Sequence, residues 1–597
     1  LTKQVEEEKR DSKPIQTIET NVIFKGNSQN SQFPLQQSKK YFDKISGHLQ
    51  GMIIEYVKVE KEDEEDSEWN LSKGCLYILA ILVKVCDLRY VTEFFKKLED
   101  QIKMSIDNQE MRCKCWLLLS SAVNSKNRDI SLKMSSCFIN NMMNDIAQNN
   151  SPVLQNCASF LLKKVTELFP KVVDDNKIDA FFNVLLSTLK QTNSSTIGIN
   201  VCHIIRNMIV RLGDPQTKKA QCPLSNYFVK LLQGLFVTAE MELVNQKDEY
   251  GKLSFSRLMT IETLISYSSH DKQNNLKEIL LQYLQQIEFT QKNYSQLIAR
   301  GIKEEKIKQL QDYYYTLLRS ILMKYQKPIE VDLAKNIWTL TDSIFKTRKT
   351  VFEEANIAFG ALAANMKEDF TVLFETYYPF LQFSITKFDE ANLSRSGLST
   401  LLTIIRVIKN GITSKSEDIL KVLLQVCTSN NVTRANKTIA ISCIGDVAIC
   451  LGKSFKIYVK DVTTLLFSAC QLAVSQADEE EEGIQFIKDL RFEIIQAFTC
   501  ISFSLEEEVN LLVPYIPNIF TFFKAIVNDR IRMREDIYLS MMNFVGDMIN
   551  AFGTEMKPLC DQQFLKSIIE NVKSYGNEKN NDDINQMENV FSLLFIQ

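Results

Sequence analysis

The sequence predicts an all-α protein built as a solenoid of stacked helical hairpins. Gly and Pro number only 18 and 11 among 597 residues, whereas average usage is about 7% and 5%. Apolar residues recur at helical spacing, as at Phe42, Ile45 and Leu49, and no stretch alternates as a strand does. Prolines are expected early in helices, at Pro379 and Pro517, where a missing amide donor does little harm. The scarcity of Gly and Pro, which form turns, favours helices joined by short loops.

The spacing of the loops predicts the repeating unit. Short polar loops recur about every 20 residues, so the hairpin is about 40 residues long, the period of HEAT and armadillo arrays, and the chain would hold about 13 hairpins. A single hairpin cannot bury its apolar face, so neighbours must stack into a superhelix. The expected division is an irregular or partly ordered start at 1–37, followed by HEAT repeats at 38–222, central repeats at 223–415 and C-terminal repeats at 416–597.

A short internal similarity supports the repeats. A Gly-Asp pair lies inside an apolar helical stretch at 445–446 and again at 546–547, an offset of 101 residues. Each stretch leads to a further glycine, Gly452 or Gly553. Glycine is the favoured residue just after a helix C-terminus, so each stretch is predicted to be a helix that ends there.

Composition excludes several classes of protein. Lys and Arg number 70 and Asp and Glu number 73, a formal net charge of −3, so direct nucleic-acid binding is not expected. The sequence has no run of 18 apolar residues, so no membrane span is expected. Its first residues are charged, so they do not form a secretory signal. The chain begins at Leu1 without Met, so a preceding segment is expected. The 14 cysteines lie mostly in apolar stretches, typical of reduced thiols in a cytosolic or nuclear protein.

Signals for chemistry are weak. The three histidines, His48, His203 and His270, have no metal-ligand spacing to Cys or to each other. Cys113 and Cys115 form a CxC pair without a second half, for which packing is the favoured interpretation. No phosphate-binding loop or nucleophile motif is present. We therefore expect no enzyme, no metal and no cofactor.

Two acidic runs stand out. The first carries seven acids in nine residues before a tryptophan; its members are Glu60, Glu62, Asp63, Glu64, Glu65, Asp66, Glu68 and Trp69. It is either a solvated loop or a surface that attracts a basic partner, with the indole ring stacking on an Arg or Lys stem. The second run lies in a predicted interhelical loop, where solvation is the favoured interpretation; it consists of Asp478, Glu479, Glu480, Glu481 and Glu482.

Several segments, spread in order along the chain, resemble importin-β, the karyopherin-β family of nuclear import receptors. The resemblance lies in a helix and acidic loop ending in Trp69-Asn70, in a central helix pair, and most strongly in the C-terminal repeats. The matching sequences are SKKYFDKI (38–45), NIAFGALA (356–363), YPFL (378–381), IGDV (444–447), GKSFKIY (452–458), LRFEIIQAF (490–498) and the Gly-Asp pair at 546–547.

The resemblance implies partners and binding residues. Family members hold the basic helix of importin-α, or a basic cargo signal, on their concave face, using an acidic loop and a ladder of tryptophans. Trp69 matches the first ladder position, Phe160 the second and His203 the third, with a weaker ring at Phe160 and a poorer one at His203. For Phe160 and His203, inner-wall packing stays equally open. Trp116 and Trp338 match no ladder position and are expected in the core.

The resemblance also implies regulation and location. Ran-GTP would release the cargo, binding mainly an N-terminal arch that this sequence largely lacks, and FG repeats of nucleoporins would dock between outer helices. A monomer in the cytoplasm, the nucleus and the nuclear pore is expected, with no membrane association. The alternative is a HEAT-repeat scaffold, or a regulatory subunit of a complex unrelated to transport.

Overall fold

The computed structural model describes residues 80, 83 and 88–596, with gaps at 106–107, 149–150, 193, 214–221, 237–251, 269–272, 349–352, 476–480, 530, 532 and 577–580. Within this part of the chain every regular element is a helix and no residue lies in a strand. The predicted all-α class is confirmed. The chain divides into two compact units, Leu1–Leu212 and Gly213–Gln597, called unit 1 and unit 2 below.

The described helices of unit 1 form three antiparallel hairpins in sequence order. They are α1 Leu88–Met104, α2 Gln109–Ala122, α3 Arg128–Ala147, α4 Pro152–Leu168, α5 Ile178–Gln191 and α6 Ser195–Leu212. Unit 2 continues the same pattern over its described residues. Its helices are α7 Phe228–Leu235, α8 Lys252–Tyr267, α9 Gln273–Lys292, α10 Tyr294–Ala299, α11 Glu304–Lys324, α12 Val331–Arg348, α13 Glu353–Met366, α14 Thr371–Thr386, α15 Ala391–Ile408, α16 Ser416–Thr428, α17 Arg434–Leu451, α18 Val459–Ser475, α19 Glu481–Leu505, α20 Ile516–Val527, α21 Glu535–Phe552, α22 Gln562–Lys573 and α23 Asn581–Ile596.

The helices of each unit lie in two layers with an apolar core between them. In unit 1, α2, α4 and α6 pack on one another, and α1, α3 and α5 form the second layer. In unit 2, one layer consists of α8, α11, α13, α15, α17, α19, α21 and α23, and the other of α9, α12, α14, α16, α18, α20 and α22. We call the first-named layer of each unit the inner layer, because its neighbours pack more closely, and the second the outer layer.

Hydrogen bonds between neighbouring inner helices reveal the repeat length. Thr400 donates to the carbonyl of Asn356 (2.7 Å), 44 residues earlier. Asn436 donates to the carbonyl of Ala391 (3.0 Å), 45 residues earlier. In unit 1, the Asn207 amide reaches the carbonyl of Lys163, again 44 residues earlier. This spacing belongs to HEAT arrays, at about 40–47 residues, and exceeds the 34 or so of tetratricopeptide repeats. The predicted HEAT architecture is confirmed.

The two Gly-Asp stretches are helices that end where the sequence predicts. Helix α17 is followed by Gly452 with φ +53°, and α21 is followed by Gly553 with φ +56°. Glycine reaches this region of positive φ without the steric cost that a Cβ brings. The glycines within the Gly-Asp pairs allow close helix packing. A Cβ on Gly445 would lie 3.3 Å from the Cα of Ala497, so the lack of a Cβ there lets α17 approach α19 closely.

Equivalent turns at three other inner helices use residues with side chains. Lys367, Lys409 and Glu506 follow α13, α15 and α19 with φ of +56°, +47° and +47°. Such a conformation costs a residue with a Cβ about 1–3 kcal/mol. The turn geometry is therefore set by the packing of the repeat, which holds it even where the residue disfavours it.

The proline predictions have different outcomes. Pro517 lies in the first turn of α20, as predicted. Pro379 lies inside α14, eight residues after its start, so the prediction of an early position is wrong there. Aromatic packing explains why the helix continues through it: the neighbours Tyr377 and Phe380 both contact the Trp338 ring. That buried cluster outweighs the loss of one backbone hydrogen bond.

Within the described residues, the range Arg434–Val474, which holds α17, the turn at Gly452 and most of α18, passes a length and mean-hydropathy (1.5) test for a membrane span. A bent pair, Gly483–Leu512 with Ile516–Val527, passes the same composition test only when taken together. Half of the apolar window of the first stretch is buried among neighbouring helices, and the core helix of a helical stack has the same composition. The stretch is weak grounds for a membrane span.

Candidate binding surfaces of the inner layer

Most residues of the two acidic runs, together with Trp69, lie outside the described part of the chain. These are Glu60, Glu62, Asp63, Glu64, Glu65, Asp66, Glu68, Trp69, Asp478, Glu479 and Glu480. Glu481 and Glu482 are described, and they begin α19 instead of lying in a loop. The loop interpretation is wrong for these two residues because carboxylates are favoured in a first helical turn, where the helix dipole is positive.

Phe160 and His203 lie at similar heights on neighbouring inner helices of unit 1, α4 and α6. The amide of Asn200 on α6 donates to Ser159 Oγ on α4 (3.3 Å), and the amide of Asn207 donates to Thr166 Oγ1 (3.1 Å). Both bonds join residues 41 apart, which places the positions around 203 opposite those around 160. Phe160 is 46% exposed and His203 is partly buried. The structure thus brings two of the predicted binding residues together.

The surface around this pair is basic. Lys163 and Lys164 follow Phe160 by three and four residues, about one turn of α4, and Arg206 follows His203 by three residues on α6. Together α4 and α6 carry four basic residues and one acidic residue, Glu167, a formal net charge of +3. Burial, followed by the charges of Lys163 and Arg206, lowers the pKa of His203 to about 4. At neutral pH the imidazole is therefore uncharged and adds no positive charge of its own.

One cation of α6 is committed to the fold. The Arg211 guanidinium donates to the carbonyls of Pro170 (3.0 Å) and Val173 (2.7 Å) and forms an ion pair with Asp175. These bonds fix the connection between α4 and α5 against the C-terminal end of α6. The other cations of α4 and α6 are Lys163, Lys164 and Arg206, and all three are partly exposed.

The inner layer near the C-terminus has the opposite charge. Helices α19 and α21 carry seven acidic and two basic residues, a formal net charge of −5. On this surface Arg534, just before α21, donates to Asp489 Oδ1 (2.9 Å) and to Asp536 Oδ2 (3.0 Å). Its guanidinium carbon lies 5.2 Å from the centre of the Phe492 ring. A guanidinium is thus held by two carboxylates over an aromatic face, as a basic ligand would be.

Further carboxylates continue along the inner layer of unit 2. Asp446 on α17 accepts from Arg406 Nε on α15 (2.6 Å). Glu493 on α19 lies near this pair, and burial raises its pKa while the Ser442 hydroxyl lowers it by hydrogen bonding. Sequence reasoning overlooked these residues because it looked for runs of acids. The inner-layer acids are single residues on separate helices and come together only through the register of the repeats.

A deeply placed carboxylate occurs on α11. The pKa of Asp312 is raised to about 7, mainly by burial; the charge of Lys308 opposes the rise, and those of Glu354 and Glu353 add to it. Its Oδ1 atom is buried and has no hydrogen-bond partner within the described residues. Asp312 is therefore poised between its neutral and charged forms near neutral pH.

The two described tryptophans belong to the core, as predicted. Trp116 is fully buried, and its indole nitrogen donates to Asp145 Oδ2 (2.8 Å). The other oxygen of this carboxylate, Oδ1, pairs with Arg112 (2.8 Å). Trp338 is 9% exposed and packs edge-on against Phe359, 5.6 Å away between ring centres. Neither ring is presented to a ligand.

Thiols and metal ligands give no candidate site in the described residues. The cysteines there are all unpaired with one another as disulfides, and most are buried. Cys113 and Cys115 lie in the core of unit 1. Among the described residues no group of three or more His, Cys, Asp or Glu is arranged to hold a metal ion.

Comparison with known proteins gives relatives of one kind. The importin subunit beta-1 of Schizosaccharomyces pombe is 20% identical over 589 residues, which cover 95% of this chain and 65% of that protein. The importin subunit beta-1 of Arabidopsis thaliana is 20% identical over 529 residues, covering 86% of this chain and 59% of the relative. The chain thus spans less than two thirds of the length of these curated relatives.

Solved structures share the fold. A crystal structure of importin beta in ammonium sulfate matches with a TM-score of 0.73 at 18% identity, covering 93% of this chain and 63% of that one. Kap95p, in a structure concerned with its binding of RanGDP, matches with a TM-score of 0.73 at 18% identity, covering 97% and 66%. The Kap95:Nup1 complex matches with a TM-score of 0.66 at 17% identity, covering 97% and 65%.

A family model decides the membership. The model described as importin subunit beta-1-like, TPR repeats, matches residues 180–573. This range is about two thirds of the chain and runs from α5 to the end of α22. The chain belongs to the importin subunit beta-1-like family.

Proposed function

We propose that this chain is part of a nuclear import receptor that holds a basic segment on its inner layer. The segment would be the basic helix of an importin-α adaptor or a basic signal of the cargo itself. The observation that carries the proposal is the acidic surface of α19 and α21, where Asp489 and Asp536 hold Arg534 over Phe492. A ligand arginine would exchange with Arg534 for these carboxylates and this ring, whose arrangement already suits a guanidinium.

The acidic run at residues 60–68 and Trp69 stay a prediction for the same basic segment. Phe160 and His203 also stay predicted contacts, but Lys163 and Arg206 beside them weigh against a basic ligand at that position. The acidic residues 478–482 are proposed only as a secondary contact. Basic-segment recognition is therefore assigned mainly to the inner layer of unit 2 and to the acidic run.

Regulation and transport are proposed by analogy with the family. Among the structural neighbours, Kap95p binds RanGDP in one case and is in complex with Nup1 in another. We propose that the whole protein is likewise regulated by Ran, whose GTP form releases the cargo. We also propose that it contacts FG repeats of nucleoporins through outer helices. It would act as a monomer without enzymatic activity, moving between cytoplasm and nucleus through the pore.

A titration tests the basic-segment proposal. A fluorescent synthetic helical peptide rich in Arg and Lys is added to the chain, and its anisotropy is followed at low and at physiological ionic strength. The combined substitution Asp489→Asn and Asp536→Asn should weaken binding about tenfold, the effect of about 1.4 kcal/mol. Added salt should weaken binding as well, because the attraction is electrostatic.

The matched control is Asp461→Asn, an exposed acid on the outer helix α18, which should leave the affinity unchanged. Neutralising residues 60–68 in a further variant measures the share of the acidic run. The proposal is refuted if the affinity changes neither with salt nor on neutralisation of Asp489 and Asp536 or of residues 60–68. Pull-down of the complete protein with and without Ran-GTP then separates a transport receptor from a static scaffold, whose complexes would stay unchanged.

A further inference from the structure

We propose that the surface of α4 and α6 around Phe160 binds an acidic peptide segment that carries a large apolar side chain. This partner has the opposite charge to the basic segment, whose main contacts are proposed in unit 2, and at Phe160 and His203 it is the alternative to that segment. We call this surface the basic face; it consists of Phe160, Lys163, Lys164, His203, Arg206 and Val210.

The register of the two helices assembles the basic face. Asn207 donates to Thr166 Oγ1 and also to the carbonyl of Lys163 (3.3 Å), so the last turns of α4 and α6 lie side by side. His203 is close enough to Lys163 and Arg206 for both charges to act on it. Cations separated by 43 residues in sequence thus form one positive surface.

On the basic face, the Lys163 charge is not neutralised by any described residue. Helix α6 contains no Asp or Glu, and α4 contains only Glu167. Within the described part of the chain the Lys163 ammonium has no hydrogen-bond or ion-pair partner. Lys164 donates to the carbonyl of Ser120 on α2, so its ammonium lies on the α2 side of α4. An arriving carboxylate would gain attraction here, whereas an arriving Arg or Lys would be repelled.

Apolar groups lie among these cations. Phe160 and Val210 are each 46% exposed, a large fraction for side chains of their kind. The aliphatic stems of neighbouring lysines extend such apolar surface while their charged ends stay in water. A partner segment with carboxylates around one aromatic or large aliphatic residue would complement both features, since its ring or chain could cover Phe160.

A peptide fits this surface better than a nucleic acid. The full chain has a formal net charge of −3, and a nucleic-acid binder typically shows a long basic stripe with an overall basic excess. Here the basic surface is confined to a few side chains on two helices. Its size and its exposed ring suit a short acidic segment of another protein.

Two synthetic peptides test the proposal on the whole chain. Both carry Phe and Leu at the same positions; one has Glu and Asp at the remaining sites, and the other has Lys and Arg. Anisotropy titrations should show that Lys163→Gln weakens the acidic peptide about threefold, within the range of one solvent-accessible ion pair. Phe160→Ala should weaken it about fivefold through lost apolar contact. Neither side chain supports another residue's position, so the fold should persist, which circular dichroism checks.

Controls and reversals separate the outcomes. Lys190→Gln on the outer helix α5 removes an exposed cation and should leave acidic-peptide binding unchanged. Lys163→Glu should weaken the acidic peptide more than Lys163→Gln does. The proposal is overturned if the acidic peptide ignores both Lys163→Gln and Phe160→Ala, if Phe160→Ala weakens the basic peptide instead, or if a single-stranded oligonucleotide binds more tightly than the acidic peptide. None of these results depends on Asp489 or Asp536, so the proposed function stands or fails separately.

Discussion

The inner layer of unit 1 at α4 and α6 and the inner layer of unit 2 at α19 and α21 use the same hairpin architecture with opposite charge. The first carries a formal net charge of +3 and the second −5. Both are held in register by hydrogen bonds between residues 41–45 apart. The repeat therefore fixes where side chains lie along the layer, but not whether they are acidic or basic. A few surface residues on each helix then decide which kind of partner a stretch of the layer attracts.

The largest expected effect comes from the arginine that anchors the acidic region. Arg491 is 1% exposed, donates to the carbonyl of Ala473 (2.9 Å) and pairs with Asp529. Arg491→Ala should destabilise the protein by about 3–5 kcal/mol, because it removes a buried ion pair with Asp529 and the donor to the Ala473 carbonyl. Urea unfolding measures the loss, and hydrogen exchange should rise at α18–α21 while α4 and α6 stay protected. Lys488→Ala on the same helix is the control; an equal loss there would contradict the assignment.

A second comparison concerns the two buried tryptophans. The Trp116 indole donates to Asp145 in unit 1, whereas Trp338 in unit 2 packs only among rings. Trp116→Phe should therefore cost about 1–3 kcal/mol more than Trp338→Phe, since only the first removes the indole donor to Asp145 Oδ2 and leaves that carboxylate with the Arg112 pair at its other oxygen. Because both substitutions remove similar volume, the difference in urea midpoints isolates the hydrogen bond. Equal losses would show that the bond contributes nothing.

The buried carboxylate of α11 predicts a pH dependence specific to unit 2. The folded-state pKa of Asp312 is about 7 and its ordinary value is 3.8. The folded state therefore binds more protons than the unfolded state in this window, and stability falls as pH rises from about 4 to 7. Asp312→Asn should remove this fall and stabilise the protein at pH 8 by roughly 1–3 kcal/mol, from about 1.4 kcal/mol per pKa unit.

Thermal unfolding at pH 5 and at pH 8 measures this effect. The exposed Asp389→Asn, on the connection between α14 and α15, serves as the matched control and should change neither value. A gain from Asp312→Asn that is the same at both pH values would contradict the pKa assignment.

The smallest effect concerns the turns that follow the inner helices. Lys409 occupies a position of φ +47° where the equivalent turn after α17 has Gly452. Lys409→Gly should stabilise by about 0.5–1 kcal/mol, because relief of the strained backbone exceeds the added chain entropy. Gly452→Ala should destabilise, although nothing lies within 4 Å of the added Cβ, so only the backbone opposes it. Calorimetry on the pair checks both signs; two changes of the same sign would refute the shared geometry.

Much of the fold could be predicted from the sequence, and the reasons are local. Apolar periodicity and scarce turn formers predict helices, and Gly452 and Gly553 mark helix ends because only the backbone conformation is at stake. Where packing overrides local preference the prediction fails. Pro379 continues a helix inside an aromatic cluster, and Lys409 adopts a turn suited to glycine.

The candidate surfaces were less predictable because they depend on register. Phe160 and His203 were identified through a family resemblance, yet nothing local indicates that Lys163 and Arg206, 43 residues apart, share one surface. Likewise, Asp489, Phe492 and Arg534 become neighbours only when α19 and α21 pack together. Long-range pairing of single residues leaves no signal in one sequence.

The most direct test of opposite charge along one architecture is a crossed titration. Both synthetic peptides are titrated into the unsubstituted chain, the Asp489→Asn and Asp536→Asn variant, and the Lys163→Gln variant. The account predicts that the carboxylate variant loses affinity only for the basic peptide and the lysine variant only for the acidic one. If one variant weakens both peptides alike, or if neither variant weakens either peptide, the two surfaces do not select their partners by charge.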